Sequence, residues 1–194
     1  TCIEILSSLP SVVVGLFGYL IFVVQFGYGF SILSGALALT VFNLPQMTRN
    51  VVDSLRHVHH TQRAAGLALG LSRWETVLHV VIPEALPGIV TGIVLASGRI
   101  FGEAAALIFT AGQSAPALDW SNWNPLSVTS PISIFRQAET LAVHIWKVNS
   151  EGTIPDATQV SAGSAAILLI FILLFNLSAR YIGKKLHAKM TSAA

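Results

Sequence analysis

Arg99 and Glu103 are the residues of this sequence whose types and spacing best suit chemistry. They interrupt an otherwise apolar stretch, Leu86–Thr110, and stand four positions apart. An arginine at the centre of a membrane span costs at least about 2.5–3.5 kcal/mol, so an ionisable residue there marks a functional position by default. On one continuous helix the two side chains share a face one turn apart and can pair. Pairing leaves part of the guanidinium's planar donor fork open, and that fork suits tetrahedral oxyanions such as phosphate. The competing reading is a structural ion pair that locks this helix to its neighbours. A third reading, an intramembrane enzyme using Glu103 as acid or base, requires a second polar group at the same depth. No other span supplies a charged one.

Other chemistry is thinly represented. His57, His59 and His60 have no evident fourth ligand and no usual zinc spacing, so they read as a solvated or headgroup-facing cluster, and no metal is assigned. Serines and histidines are scattered without a nucleophile motif, which argues for a non-catalytic chain. No G-x-x-x-x-G-K-[ST] occurs, so ATP is not bound by that route and no cofactor is assigned to this chain. Cys2 is the single cysteine, which excludes an internal disulfide.

The elements that must hold Arg99 and Glu103 are membrane helices. Apolar residues make up 53% of the chain and charged residues 10%, well below the ~25% of soluble domains, which excludes a disordered chain, a nucleic-acid-binding module and most cytosolic enzymes. The uncharged run between Glu4 and Arg49 would extend ~66 Å as one helix, twice a bilayer core. It must therefore fold back, and Phe26-Gly27-Tyr28-Gly29 is the expected bend. Two spans are placed near Val12–Gln25 and Phe30–Leu44, a third within Leu86–Thr110 and a fourth at Ala157–Ala179. The fold class expected is all-α, a polytopic membrane protein with about four transmembrane helices. Small residues at Gly88, Gly92 and Ala96, and at Gly98 and Gly102, provide close approach for the third span.

Charge sets the orientation. Arg49, Arg56, Arg63 and Arg73 fill the connection after the second span, and Arg180, Lys184, Lys185 and Lys189 follow the last. Both regions are therefore expected on the cytoplasmic side. The loop 111–156 is expected outside, with a surface helix over Ile132–Trp146 and interfacial anchors at Trp120, Trp123 and Trp146. The cytoplasmic connection, 46–83, reads as helix, glycine turn, helix. Gly70 is expected to end one helix in the left-handed conformation, and Ser72 with Glu75 forms a capping box that starts the next. Pro83 and Pro87 are expected where the chain turns to enter the membrane. From pattern alone the connection is either a solvated connector or a docking element for a cytoplasmic partner.

The spacing Ala64-Ala65-Gly66, Gly70, Val80-x-Ile82-Pro83 resembles the EAA loop of ABC-transporter permeases. Ala64 stands where that motif has Glu, and Gly66 where it has its second Ala. Leu9–Gly18 resembles the PS-I-V-x-G-L-F-G entry of the phosphate-type permeases, and Ala96–Glu103 their A-x-x-R-x-x-G-E segment, with Ala104 in place of the usual Thr. Ile108–Gly112, Pro131–Phe135 and Asn176–Arg180 also have counterparts, so the resemblance covers nearly the whole chain. It implies one permease transmembrane domain over 1–194, partial because that family has about six spans and begins well upstream. The start at Thr-Cys-Ile-Glu, without Met or signal peptide, agrees with that expectation.

The resemblance further implies a bacterial plasma (inner) membrane subunit of an ATP-driven phosphate importer. Arg99 and Glu103 would line half of the anion pathway. Asp53, Ala64, Ala65, Gly66, Gly70 and Pro83 would couple to a cytoplasmic ATPase dimer, which binds the ATP and Mg. A second permease subunit, an extracytoplasmic phosphate-binding protein, inorganic phosphate and the lipid membrane complete the expected partners; nucleic acid is not among them. Permeases of the same fold for sulfate, molybdate or another solute are the nearest alternative, since charge alone does not separate these anions.

Overall fold

A computed structural model describes residues 9–152 and 154–191, with side chains through Lys185. Cys2, Glu4 and the side chain of Lys189 lie outside the described residues. Among those described, every regular element is helical, as the expected all-α class requires. In chain order they are α1 (Ser11–Gly18) running into a π-helical segment (Tyr19–Gln25), α2 (Ile32–His57), α3 (His60–Ala68) and α4 (Arg73–Thr76). A second π segment (Val77–Val81) then leads into α5 (Ile82–Phe101), followed by α6 (Ala105–Thr110), α7 (Leu141–Glu151) and α8 (Ala157–Thr191). Two stretches, Arg73–Phe101 and Ala157–Lys185, are long and apolar enough to cross a membrane, each with 29 residues. The other two expected spans correspond to a shorter apolar helix over Ser11–Gln25 and to the apolar first half of α2.

Residues Thr1–Leu44 and Arg99–Ile172 form one compact unit, and Pro45–Gly98 with Leu173–Ala194 form another. In the first, α1, α2 and α6 pack through small residues. A Cβ on Gly15 would lie 2.8 Å from the Ala106 Cα, one on Gly18 2.8 Å from the Ala38 Cβ, and one on Gly35 2.9 Å from the Ala111 Cβ. Ala38, Ala106 and Thr110 are accordingly buried. The expected bend is present, with Gly27 and Gly29 at φ +70° and +64°. Its far side is stapled by Ser34 Oγ, which donates to the Gly29 carbonyl at 2.9 Å.

The start of α2 shows how the loop between α6 and α7 contributes to the fold. Four N-terminal N–H groups of any helix lack intrahelical acceptors. Here Ser31 donates to Thr110 O (3.1 Å), Ile32 to Arg136 O (2.9 Å), Leu33 to Ile134 O (2.9 Å), and Ser34 to Ser31 Oγ (3.2 Å). Residues 131–139 follow a turned, non-helical course that brings these carbonyls to α2, so the helix expected over Ile132–Trp146 begins only at Leu141. Thr140 caps it, accepting from the Val143 N–H at 3.3 Å, and Gly152 ends it in the left-handed region.

In the second unit, Val58, Val81 and Ala85 form the core, with Leu55 and Ile89 against it. Helix α2 runs on past Leu44 and through Pro45 to His57, so the connection over 46–83 is entered on an existing helix and not on a loop. Pro83 and Pro87 do not mark a turn: Pro83 is the second residue of α5 and Pro87 lies inside it. A proline ring crowds the carbonyl four residues back and supplies no N–H to it. The π segment immediately before Pro83 widens the backbone there, and helix continues from Arg73 to Phe101 without a break.

Candidate functional site

The expected site residues divide between the two units. In the first, α5 ends at Phe101, and the Gly102 and Glu103 N–H groups donate to Arg99 O and Ile100 O, both at 3.1 Å. These i→i+3 bonds tighten the last turn and release the chain into a short bend before α6. Leu86–Thr110 is therefore not one helix, and Glu103 lies past the end of α5, off the helical face where its pairing with Arg99 was expected. Its carboxylate turns forward, accepting from the Ala106 N–H at 3.4 Å, in the first turn of α6. Ala104, at the N-cap of that helix, has no side chain able to do so.

Arg99 sits in the last turn of α5, exposed on this chain, with its guanidinium carbon 5.2 Å from the centroid of the buried Phe42 ring. A cation is favoured twice there, by the negative end of the helix dipole and by the ring face. The sequence signal for Arg99 was its charge within an apolar run; its placement at a helix end, beside an aromatic ring, had no such signal.

In the second unit the helix–turn–helix element, where coupling residues were expected, is built from two cap motifs. Helix α3 ends in a Schellman arrangement: Leu71 N–H donates to Gly66 O (3.3 Å) and Gly70 N–H to Leu67 O (3.0 Å), with Gly70 at φ +86°. Two residues later the expected capping box is formed, the Glu75 N–H donating to Ser72 Oγ at 3.2 Å and the Ser72 N–H to Glu75 Oε2 at 2.8 Å. Gly66 is the point of contact between the two arms, since a Cβ there would stand 3.0 Å from Thr76 Cγ2 and 3.3 Å from Val80 Cγ2. Ala64 and Ala65 are exposed on α3. Asp53 lies on α2, where it pairs with Arg49 at 4.0 Å. Arg63 reaches back from α3 to donate to Leu55 O at 2.6 Å, closing an orphan carbonyl in the last turn of α2.

This element encloses an apolar groove of about 320 Å³ lined by Leu55, Leu67, Val77 and Val81, with Arg63 and Arg73 at its edge. Leu69 and Trp74 project beside it, 83% and 68% exposed, which is far more apolar surface than a connector in water needs to show. The histidines are engaged locally. His57 Nδ1 stands 2.6 Å from Asp53 O, His59 Nδ1 2.9 Å from Thr61 Oγ1, and the His59 and His60 rings stack.

The small-residue positions of the third span behave unequally. Gly88 and Gly92 face Ser54 and Asn50 of α2, and Gly98 faces Asn176 of α8. Among the described residues a Cβ on Gly102 would meet the Arg99 carbonyl alone, at 3.7 Å, because Gly102 lies in the bend after α5. The tightest glycine contacts of the first unit, at Gly15, Gly18 and Gly35, were not among the expected packing positions. The three-residue spacing of Gly15 and Gly18 was available as a signal.

Comparison with known proteins bears on what these two arrangements serve. The family described as "Binding-protein-dependent transport system inner membrane component" matches residues 1–192. The chain is 58% identical over 192 residues to the "Probable ABC transporter permease protein YqgI" of Bacillus subtilis, covering 99% of this chain and 65% of that protein. It is 35% identical over 173 residues to "Phosphate transport system permease protein PstA 2" of Mycobacterium bovis, covering 88% of this chain and 53% of that one. With "Phosphate transport system permease protein PstA" of Xylella fastidiosa it shares 36% identity over 177 residues, 91% of this chain and 57% of that protein. The chain thus spans between about half and two thirds of these relatives' length. No solved structure matches it. A helical chain whose long apolar helices suit a bilayer, and whose sequence follows this profile almost end to end, belongs to the binding-protein-dependent transport system inner membrane components.

Proposed function

We propose that the chain is part of the permease subunit of an ATP-driven phosphate importer in a bacterial plasma membrane. The observation that carries the substrate is its 35–36% identity to proteins named for phosphate transport. The exposed guanidinium of Arg99 is the chemistry consistent with that name. It touches the anion in passing, with Phe42 behind it, and its planar fork donates to two phosphate oxygens at once. Glu103 anchors the first turn of α6 and keeps negative charge near the path, so the anion is held too weakly to stay.

Import of each negative charge against an inside-negative potential costs ~2.3 kcal/mol per 100 mV. This chain has no phosphate-cradling loop, so that energy comes from a partner ATPase, which binds the ATP and Mg. Its docking surface is the apolar groove of the coupling element with Leu69 and Trp74 beside it. Asp53, Ala64, Ala65, Gly66, Gly70 and Pro83 lie on or frame this element. A second permease subunit completes the pathway, and an external binding protein delivers the phosphate.

Labelled-phosphate uptake by cells carrying the full-length gene and its partners tests the reading. Arg99→Gln at matched membrane expression is expected to abolish most uptake, and excess unlabelled sulfate is expected not to compete in the wild type. Undiminished uptake in the variant would reduce Arg99 to a packing charge. Competition by sulfate would move the assignment to a permease for another oxyanion.

A further inference from the structure

The second unit holds a groove that neither the Arg99 end nor the coupling element uses. It lies between α5 and the basic end of α8, with a volume of about 310 Å³, and is walled by Pro87, Val90 and Val94 on one side and Arg180 and Lys184 on the other. The two helices run antiparallel here, Gly98 facing Asn176 and Val90 facing Gly183. Gly183 makes the closure possible, since a Cβ on it would stand 2.9 Å from Val90 Cγ1. The α5 wall offers no spare donor: its one hydroxyl, Thr91 Oγ1, donates to the Pro87 carbonyl at 2.8 Å. Arg180 and Lys184 are one turn apart on one face of α8, both exposed, and no described carboxylate pairs with either. Toward the apolar stretch of α8, Leu173, Leu174 and Leu177 are 53–65% exposed.

Two unpaired cations above an apolar wall match a ligand that is anionic at one end and hydrocarbon at the other. We infer that this groove binds one anionic phospholipid, its phosphate held by Arg180 and Lys184 and the first part of an acyl chain lying along Val90 and Val94. The volume accommodates roughly ten groups of water or methylene size, enough for a headgroup phosphate and the glycerol beneath it. Basic pockets between helices at the cytoplasmic surface are the usual setting for such headgroups. The inference rests on α8 crossing a membrane with its basic end inside, and it does not depend on which solute is carried.

Native mass spectrometry of the full-length permease with its partner subunits tests it, by titration with phosphatidylglycerol, phosphatidylcholine and inorganic phosphate separately. One phosphatidylglycerol is expected to bind in preference to phosphatidylcholine. The double change Arg180→Gln with Lys184→Gln is expected to weaken it about 30-fold, from roughly a five- to sixfold loss per cation near an anionic site. Lys185→Gln is expected to leave it unchanged. Thr91→Trp, which fills the groove and keeps both charges, is expected to weaken it as well, and decides the matter should the double variant not assemble. Equal binding of the two lipids, or phosphatidylglycerol binding indifferent to both changes, would overturn the inference. So would displacement of the lipid by inorganic phosphate, which would indicate a soluble-anion site, or release of the second subunit on filling the groove, which would indicate a protein interface. Retained lipid binding in a complex that takes up no phosphate would leave the lipid site standing and remove only the transport reading.

Discussion

Helix α1 of the first unit and helix α5 within the second use glycine for different purposes. In the first, Gly15 and Gly18 are pressed against the Ala106 Cα, the Ala105 carbonyl and the Ala38 Cβ, atoms that cannot move without moving a helix. In the second, Gly88, Gly92 and Gly98 face the side chains of Ser54, Asn50 and Asn176. Small residues therefore bring helix backbones together in one place and make room for polar side chains in the other. Within a bilayer both are sources of cohesion, the first through dispersion contacts and the second by keeping amides and hydroxyls away from lipid. The difference teaches that a small-x-x-x-small row, such as Gly88 and Gly92, identifies a helix face but not what the face meets.

Substitution by alanine is the most direct way to break that contrast. Gly15→Ala should destabilise the full-length permease by about 1–3 kcal/mol, because the added methyl meets backbone. Gly98→Ala should come out near zero, the amide end of the Asn176 side chain yielding while the helix gains ~1 kcal/mol of propensity. Thermal denaturation of the purified protein compares them, and equal losses would erase the distinction. A smaller effect is expected at the turn between α3 and α4, where Ser72→Ala should cost ~1 kcal/mol locally through loss of the capping box. Hydrogen exchange at the Glu75 amide is the measurement, and unaltered protection would mean that the cap is redundant with the packing of Gly66 on Thr76.

The smallest effect belongs to the loop between α6 and α7 of the first unit. The Ser121 hydroxyl, and after it the Ser121 N–H, donate to Asp119 Oδ1 and hold its carboxyl below the usual range. A carboxylate with a lowered folded-state pKa stabilises the fold above its unfolded value, and the contribution fades as pH falls through the depressed one. Asp119 should accordingly titrate below an ordinary aspartate, and Ser121→Ala should raise its midpoint, as an isotope-edited NMR titration would read. A midpoint unmoved by that change would remove Ser121 as the cause.

How far the sequence could be read depends on the range of the interactions involved. The Gly70 turn and the Ser72–Glu75 box lie within a few residues of their partners, so local spacing was enough to expect both. The bend at Gly27 and Gly29 was legible for the same reason. The end of α5 at Phe101 was not, because nothing in Gly102-Glu103-Ala104 forbids helix and apolarity continues to Thr110. The turned, non-helical course of 131–139 was hidden too. Its apolar residues follow a helical period, while the competing demand comes from the unpaired N–H groups of α2, about a hundred residues upstream in sequence. Arg99 was conspicuous by charge, whereas its ring partner Phe42 sits on another helix and left no trace in spacing.

The π segment before Pro83 bears on how the neighbouring faces can be compared. A turn closed by i→i+5 bonds takes up one residue more than an α-turn, and one residue corresponds to ~100° of rotation about the axis. Residues before Val77 and after Val81 are consequently out of phase, and a single helical wheel drawn from Arg73 to Phe101 would assign one set to the wrong side. Trp74 and Ile89 can thus address different surroundings from one unbroken rod. Deleting a residue between them would not simply shorten the rod but would swing one end about its axis relative to the other.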